Sequence, residues 1–240
     1  MRTYSTVFFD LDGTLLPIDT HKFMEDYFAS LGAFCAAEGL EAKPVLAAVM
    51  AGVHAMAKTD GEQTNRELFW GVFEQETSMN AASAEDMFMK YYAQAFPQVG
   101  AHVTLNEHAA RAVATLKSKG YRIALCTMPM FPIIAVEERL RWAGLDSSDF
   151  EFVTDYATCN AVKPMERYYD GCLKRAGVSA DEVLMVGNHE REDGWITKLG
   201  CDIYFITDNL IKDEKGISAE ACKHGSMQQF ADWCEALPSL

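Results

Sequence analysis

The chain has 240 residues, 49% of them apolar, so it is long and apolar enough to build a large hydrophobic core. Its formal net charge of −14 argues against nucleic acid or an anionic membrane as a partner, because both would repel an acidic surface. Its 7 cysteines form no Cys-x-x-Cys pair, and we find neither a secretory leader nor an apolar membrane span, so we expect reduced thiols and a cytoplasmic location.

The first predicted element is a buried strand that ends in two carboxylates. Residues 7–9 are apolar, and Asp10 and Asp12 follow them. Residues two apart in extended backbone point to the same side, and buried carboxylates are costly unless a cation or a reaction requires them. A calcium loop is excluded, because it needs a Glu at its twelfth position and this chain has His21 there. A solvated turn is the other interpretation of this pattern.

The segment 20–97 is predicted to be helical, with little strand. Apolar residues recur at helical spacing, and Thr64 with Glu67 three residues later is typical of a capping box. A further helix is predicted to start at Ser83, with Asp86 three residues later. We interpret the Met and aromatic residues of this segment as core rather than as a ligand pocket. They are Met50, Met56, Phe69, Trp70, Met87 and Phe88.

From residue 98 onward, strands alternate with helices. The pattern predicts strands over 121–126, 150–153, 182–186 and 202–206, and helices over 106–119, 132–142, 164–176, 192–199 and 227–236. Such alternation is typical of a doubly wound parallel sheet, an α/β fold with right-handed crossovers.

Ligands of such sheets bind beyond the carboxyl ends of the strands. Thr127 follows the second predicted strand, Lys163 precedes the helix after the third, and the acidic loop 187–193 follows the fourth. We therefore expect these side chains to converge with Asp10 and Asp12 at one rim of the sheet.

This ordered set resembles the haloacid dehalogenase (HAD) superfamily. Asp10 to Thr14 match its first motif, Asp-x-Asp-Gly-Thr, Thr127 its second, Lys163 its third and Gly187 to Asp193 its fourth. In the fourth motif, Asn188 stands where the family usually has an acid. The resemblance implies a Rossmann-like catalytic core over 1–19 and 98–240, and an inserted helical C1 cap over 20–97.

The resemblance also implies a reaction. Asp10 would attack phosphorus and form an aspartyl-phosphate, and Asp12 would protonate the leaving oxygen and then activate water. The phosphoryl oxygens would be held by the groups that line the rim. These groups are Thr127, Lys163 and the residues of the turn, Gly13 and Thr14.

A magnesium ion is the cofactor that the resemblance implies. Its ligands would be Asp10, the main-chain carbonyl of Asp12, and Asn188 and Asp193 in the fourth motif, with Glu192 as an alternative to Asp193. Magnesium suits an all-oxygen site with few protein ligands. Asn188 brings no charge, so we expect weaker magnesium binding than a carboxylate would give.

The function predicted from these residues is hydrolysis of a small-molecule phosphomonoester. A sugar phosphomutase with the same intermediate and a non-catalytic binding protein remain as alternatives, and a phosphonate-cleaving enzyme would need a cap lysine. Asp12 argues against dehalogenation, because a halide leaves without a proton. Substrate identity and oligomeric state are not predicted.

Overall fold

The computed structural model describes residues 4–240, so residues 1–3 of the predicted catalytic core lie outside it. A five-stranded parallel sheet in the order β2-β1-β3-β4-β5 forms the centre. Its strands are β1 (Thr6–Phe9), β2 (Arg122–Leu125), β3 (Val183–Gly187), β4 (Asp202–Ile206) and β5 (Lys223–Gly225). The predicted doubly wound α/β fold is confirmed.

The sheet is covered on both faces because strand β1 carries buried apolar side chains on both sides over residues 7–9. Val7 and Phe9 point into one hydrophobic cluster and Phe8 into the other, as alternation along a strand requires. The helices beyond the insertion are α5 (Glu107–Ser118), α6 (Ile133–Trp142), α7 (Glu166–Ala176) and α8 (Met227–Ala236). Residues of α5, α6 and α8 join the first cluster, and residues of α7 join the second.

Four helices fill the segment between β1 and the rest of the sheet. They are α1 (Thr20–Ala37), α2 (Ala42–Met56), α3 (Asn65–Thr77) and α4 (Ala81–Gln94). The predicted capping box of Thr64 and Glu67 is present at the start of α3. The start of α4 was predicted at Ser83, which is too far along the chain. The helix is capped by Asn80, whose side chain accepts a hydrogen bond from the Ser83 N–H.

Three predictions about the sheet and its helices were wrong. Residues 150–153 form only an isolated bridge from Val153 to Leu125, and no regular strand. The helix predicted over 192–199 is a 3₁₀ helix that starts at Gly194. The short strand β5 was missed, because Lys223 and His224 are exposed and give no apolar alternation. Between residues 4 and 240, no helix is both long and apolar enough to cross a bilayer.

Candidate active site

The register of the sheet brings the first, second and fourth motifs side by side. Phe9 of β1 lies opposite Leu125 of β2 and Val186 of β3. The next residues along these strands therefore emerge at one rim. Asp10, Thr127, Asn188 and Asp193 all line the same cavity there.

Lys163 joins the two acidic motifs. Its Nζ lies 2.7 Å from Asp10 Oδ1 and 2.6 Å from Asp193 Oδ1, and the residue is only 3% exposed. Burial disfavours the ammonium, but the two carboxylates outweigh that effect and raise the pKa of Lys163 well above its usual value. The lysine therefore stays charged and supplies the local positive charge that the acidic surface lacks.

Asp10 is itself buried at the end of β1. Burial raises the pKa of its carboxyl to about 7, and the charge of Lys163 opposes that rise. Within residues 4–240, its second oxygen, Oδ2, accepts only a long hydrogen bond of 3.4 Å from Thr14 Oγ1. One oxygen of Asp10 is thus fixed by Lys163, and the other is weakly engaged.

Asp193 holds the fourth loop against the rim. Its Oδ2 accepts from the N–H groups of Asn188 at 3.0 Å and His189 at 2.9 Å. A side chain at Gly187 would place its Cβ 2.3 Å from Asp193 Cγ, so only glycine fits beneath this carboxylate. Both oxygens of Asp193 accept hydrogen bonds from protein groups, and its role as a metal ligand stays a prediction.

The side chain of Asn188 is fixed by two hydrogen bonds, one that it accepts and one that it donates. Its Oδ1 accepts from Thr14 Oγ1 at 3.1 Å, and its Nδ2 donates to the carbonyl of Asn209 at 2.8 Å. An amide satisfies both partners, whereas a carboxylate has no donor for the carbonyl of Asn209. This is a physical reason for the departure from the usual acid in the fourth motif.

The turn at Gly13 is tight and closely packed. Gly13 has φ +79°, and a Cβ there would lie 2.2 Å from Asn188 Nδ2. The N–H groups of Gly13 and Thr14 donate to the carbonyls of Leu16 and Leu11. These two N–H groups serve the turn, and the predicted contacts of Gly13 and Thr14 with substrate remain predictions.

Arg139 of α6 is a site residue that the sequence prediction missed. Its side chain is 1% exposed, and its guanidinium pairs with Asp12 Oδ2. The guanidinium carbon also lies over the rings of Phe131, at 4.6 Å, and Phe23, at 5.9 Å. The missed signal is its position: Arg139 falls on the buried stripe of α6 with Ala135, Val136 and Leu140.

Asp12 lines the cavity with one oxygen bound and the other unpartnered. Burial raises the pKa of Asp12, and the charges of Arg139 and Lys163 oppose the rise. Within residues 4–240, Asp12 Oδ1, Thr127 Oγ1 and Arg139 Nη2 are buried and have no hydrogen-bond partner. An unsatisfied buried polar atom costs about 1–3 kcal/mol. Asp12 and Thr127 line the cavity, so a polar group bound there would satisfy them.

Glu192 is the remaining acid of the rim. It lines the cavity, burial raises its pKa, and its Oε1 lies 3.8 Å from His189 Nε2. Its main-chain carbonyl accepts from the hydroxyl of Tyr169 on α7. The carboxylate of Glu192 therefore faces the same cavity as Asp10.

The donor chemistry of the rim fits a magnesium ion with few protein ligands. Asp10 Oδ2 and Asn188 Oδ1 both converge on the hydroxyl of Thr14, and the carboxylate of Glu192 faces the same cavity. These are hard oxygen donors, which magnesium prefers. The described part of the chain contains no cluster of three or more His, Cys, Asp or Glu side chains placed to hold a metal ion.

A cavity of about 350 Å³ extends from this rim to the helices α1 to α4, which make up the predicted cap. Phe69, Trp70 and Phe88 are buried but line this cavity, so the prediction that they are core rather than a ligand pocket was wrong for these three. It was also wrong for Met50, which is exposed. His21 lies at its edge and is exposed. None of the cap lysines considered for imine chemistry, Lys22, Lys43, Lys58 and Lys90, belongs to the wall within the described chain.

Asn65, the first residue of α3, anchors the cap to the rim. It is fully buried, and its Nδ2 donates to the carbonyls of Pro129 at 2.9 Å and Ala161 at 3.1 Å. Pro129 lies two residues after Thr127, and Ala161 lies two residues before Lys163. The cap therefore touches the two loops that carry the second and third motifs.

Comparison with known proteins gives one family and a mixed set of structures. The sequence model for haloacid dehalogenase-like hydrolases matches residues 4–193. A HAD phosphatase from Thermococcus onnurineus shares 16% identity over 98% of this chain and 100% of its own, with a TM-score of 0.61. A 2-haloacid dehalogenase from Pseudomonas syringae pv. Tomato DC3000 shares 14% over 96% and 97%, with a TM-score of 0.64.

A third structure of the same fold contains a metal. It is a putative HAD-hydrolase from Bacillus subtilis bound to magnesium, with 16% identity over 97% of this chain and 99% of its own and a TM-score of 0.58. No functionally curated protein sequence matches the chain. At these identities the structural likeness establishes the fold, and the reaction has to be argued from the site.

Proposed function

The chain belongs to the haloacid dehalogenase-like hydrolases, and we propose that it hydrolyses a small-molecule phosphomonoester with the help of magnesium. The observation that carries this proposal is the carboxylate of Asp12. It lines the cavity beside Asp10, one oxygen is held by Arg139, and the other is buried without a partner. A leaving alcohol needs a proton from such a group.

In the first step, an oxygen of Asp10 attacks phosphorus. The new oxygen–phosphorus bond forms as the bond from phosphorus to the leaving oxygen breaks, and Asp12 gives its proton to that oxygen. Lys163 holds Asp10 Oδ1 at 2.7 Å and so fixes the direction of the carboxylate. The products of this step are the free alcohol and a phosphorylated Asp10.

In the second step, water hydrolyses the aspartyl-phosphate. Asp12 takes a proton from the water, whose oxygen then bonds to phosphorus as the bond to Asp10 breaks. The hydroxyl of Thr127, which has no partner in residues 4–240, is placed to donate to a phosphoryl oxygen. Inorganic phosphate leaves, and both aspartates return to their starting forms.

Magnesium would be held by Asp10, the main-chain carbonyl of Asp12, Asn188 and either Glu192 or Asp193. When bound, it supplies positive charge that offsets the charge developing on the phosphoryl oxygens. Among the two candidate acids, Glu192 has the less engaged carboxylate, because Asp193 already accepts from Lys163 and two N–H groups.

Dehalogenation is the second candidate, and Asn188 is the observation that favours it. The usual acid is replaced, and Lys163 already neutralises part of the charge of Asp10 and Asp193, so a divalent cation is held less strongly here. Several structures of similar fold are haloacid dehalogenases. Against this candidate, the described cavity wall includes no lysine or arginine to bind the carboxylate of a haloacid.

A single panel tests both candidates. Purified protein with magnesium is given phosphomonoesters and 2-haloacids, and released phosphate and halide are measured. We expect phosphate release that requires magnesium and is lost in Asp10→Asn. Halide release without phosphate release would contradict the proposal, as would isomerised sugar phosphate in place of free phosphate. Full activity in Asp10→Asn would also contradict it.

The cellular context remains a prediction. All 7 cysteines are free thiols, which agrees with the reducing compartment expected from the sequence. A small phosphorylated molecule is the partner proposed for the site, and nucleic acid and membrane are not.

A further inference from the structure

We propose that the natural substrate carries an uncharged aromatic leaving group, as in an aryl or arylalkyl phosphomonoester, rather than a sugar or a nucleoside. This inference rests on the proposed phosphatase function and names the class of its substrate. Its basis is the chemistry of the cavity wall, which differs from that of the rim.

The wall beyond the rim is mostly aromatic. Rings from three cap helices and from two loops of the core face the cavity that begins at Asp10. Those that define its shape are Phe69, Trp70, Phe88, Tyr92, Phe131 and Tyr156. Aromatic walls bind planar rings through edge-to-face and offset contacts, which add to the burial of apolar area. A cavity of about 350 Å³ is of the size that encloses a small organic ligand.

The polar atoms of the aromatic side chains in this wall have protein partners. The hydroxyls of Tyr27 and Tyr92 lie 3.0 Å apart and bond to each other. The Trp70 Nε1–H donates to the Tyr156 hydroxyl at 3.4 Å, and that hydroxyl donates to Glu85 at 2.7 Å. The Tyr27–Tyr92 pair leaves one O–H free, which is too few donors for the several hydroxyls of a sugar. Most of those hydroxyls would lose water without gaining equivalent bonds, which disfavours their binding.

The charge of the cavity excludes a second anionic group. In the part of the chain that the structure describes, no lysine or arginine lines the wall, and Lys163 lies behind Asp10 and Asp193. Two polar residues of the wall, the half-buried Thr20 and the exposed His21, lie at the start of α1. The buried guanidinium of Arg139 lies against Phe131 of the wall but is already paired with Asp12. A carboxylate or a second phosphate would therefore find no unpaired cation in the described wall, so the leaving group is expected to be neutral.

The test compares leaving groups of similar intrinsic reactivity. Benzyl phosphate and 2-phenylethyl phosphate, like glucose 6-phosphate and glycerol phosphate, release a primary or simple alcohol. We expect kcat/KM for the arylalkyl phosphates to exceed that for the polyol phosphates by about 100-fold. The charged analogue 4-carboxybenzyl phosphate should fall below benzyl phosphate by about 10-fold or more.

A pair of variants on α2 locates the effect. Val53 lines the cavity and Leu46 does not, and both are partly buried on the same helix. Val53→Phe narrows the cavity, so it should lower kcat/KM for 2-phenylethyl phosphate about 10-fold more than for methyl phosphate. Leu46→Phe adds the same ring outside the wall and should leave the ratio of the two substrates unchanged.

The outcomes distinguish a wrong substrate class from a wrong function. Equal or higher kcat/KM for the polyol phosphates would overturn the substrate class and leave the phosphatase function intact. So would a Val53→Phe variant that slows both substrates equally. If wild-type protein with magnesium releases phosphate from neither set, the proposed function fails, and the substrate class falls with it.

Discussion

The rim of the sheet and the wall of the cap hold their side chains by opposite means. At the rim, Lys163 lies buried between Asp10 and Asp193, and Arg139 lies buried against Asp12. These ion pairs replace water and fix each carboxylate by charge. In the wall, rings such as Phe88 pack edge to face against their neighbours and are fixed by contact. Charge sets the reaction at the rim, and shape selects the molecule in the wall.

Lys163→Met should have the largest effect on the stability and activity of the rim. It leaves Asp10 and Asp193 buried without a cation, so the free energy of unfolding should fall by about 3–5 kcal/mol. Turnover should fall by roughly 1,000-fold or more, because the nucleophile loses the ion pair that fixes its direction. Urea unfolding followed by circular dichroism measures the first effect, and phosphate release measures the second.

Asp10→Asn is the matched variant for this experiment. It removes the nucleophile but leaves the ion pair of Lys163 with Asp193, so turnover should be lost while the free energy of unfolding changes by less than about 1.5 kcal/mol. If Lys163→Met proved as stable as Asp10→Asn, the rim would not depend on charge pairing, and the contrast with the wall would fail.

Arg139 tests the boundary between the two regions, because it contacts both. Its guanidinium pairs with Asp12 of the rim and lies over Phe131 of the wall. We expect Arg139→Met to lower kcat by roughly 10- to 100-fold with little change in KM, because Asp12 loses its orientation while the cavity keeps its shape. Arg139→Lys should recover part of kcat, since it keeps the charge.

The control for Arg139 lies on the same helix. Arg141 pairs with Glu138 at the surface, and its side chain is 56% exposed. Arg141→Met should leave kcat and KM unchanged. Equal losses in kcat for Arg139→Met and Arg139→Lys, or a loss confined to KM, would show that Arg139 acts through packing and not on Asp12.

The two regions also differ in how far the sequence predicts them. Asp10, Thr127 and Lys163 could be placed at one rim because each follows a local pattern, and parallel strands present their carboxyl ends together. The involvement of Arg139 could have been predicted, because a lone cation on the apolar stripe of a helix requires a partner. The departure at Asn188 was visible, but its bond to the carbonyl of Asn209 was not, because that contact joins separate loops.

The wall was not predictable from the same kind of pattern. Phe69 and Phe73 occupy the same apolar stripe of α3, yet Phe69 lines the cavity and Phe73 does not. Periodicity separates buried from exposed positions, but it does not show whether a buried ring faces another ring or an empty space. That distinction depends on how four helices pack together, and so does the class of substrate.

Asn188→Asp makes the rim more like that of a typical family member and should have the smallest effect. A carboxylate adds a charged ligand, so the affinity for magnesium should rise by about 10-fold, which is about 1.4 kcal/mol. The gain is limited because the bond from Nδ2 to the carbonyl of Asn209 is lost. Isothermal titration with magnesium chloride measures the affinity directly, without reference to turnover.

The control is Asn160→Asp, which removes a comparable 2.7 Å bond to the carbonyl of Gly61 at an exposed position away from the rim. Equal affinities for magnesium in wild-type protein, Asn188→Asp and Asn160→Asp would mean that residue 188 does not contact the ion, and the fourth motif would then act on the metal through Glu192 or Asp193 alone.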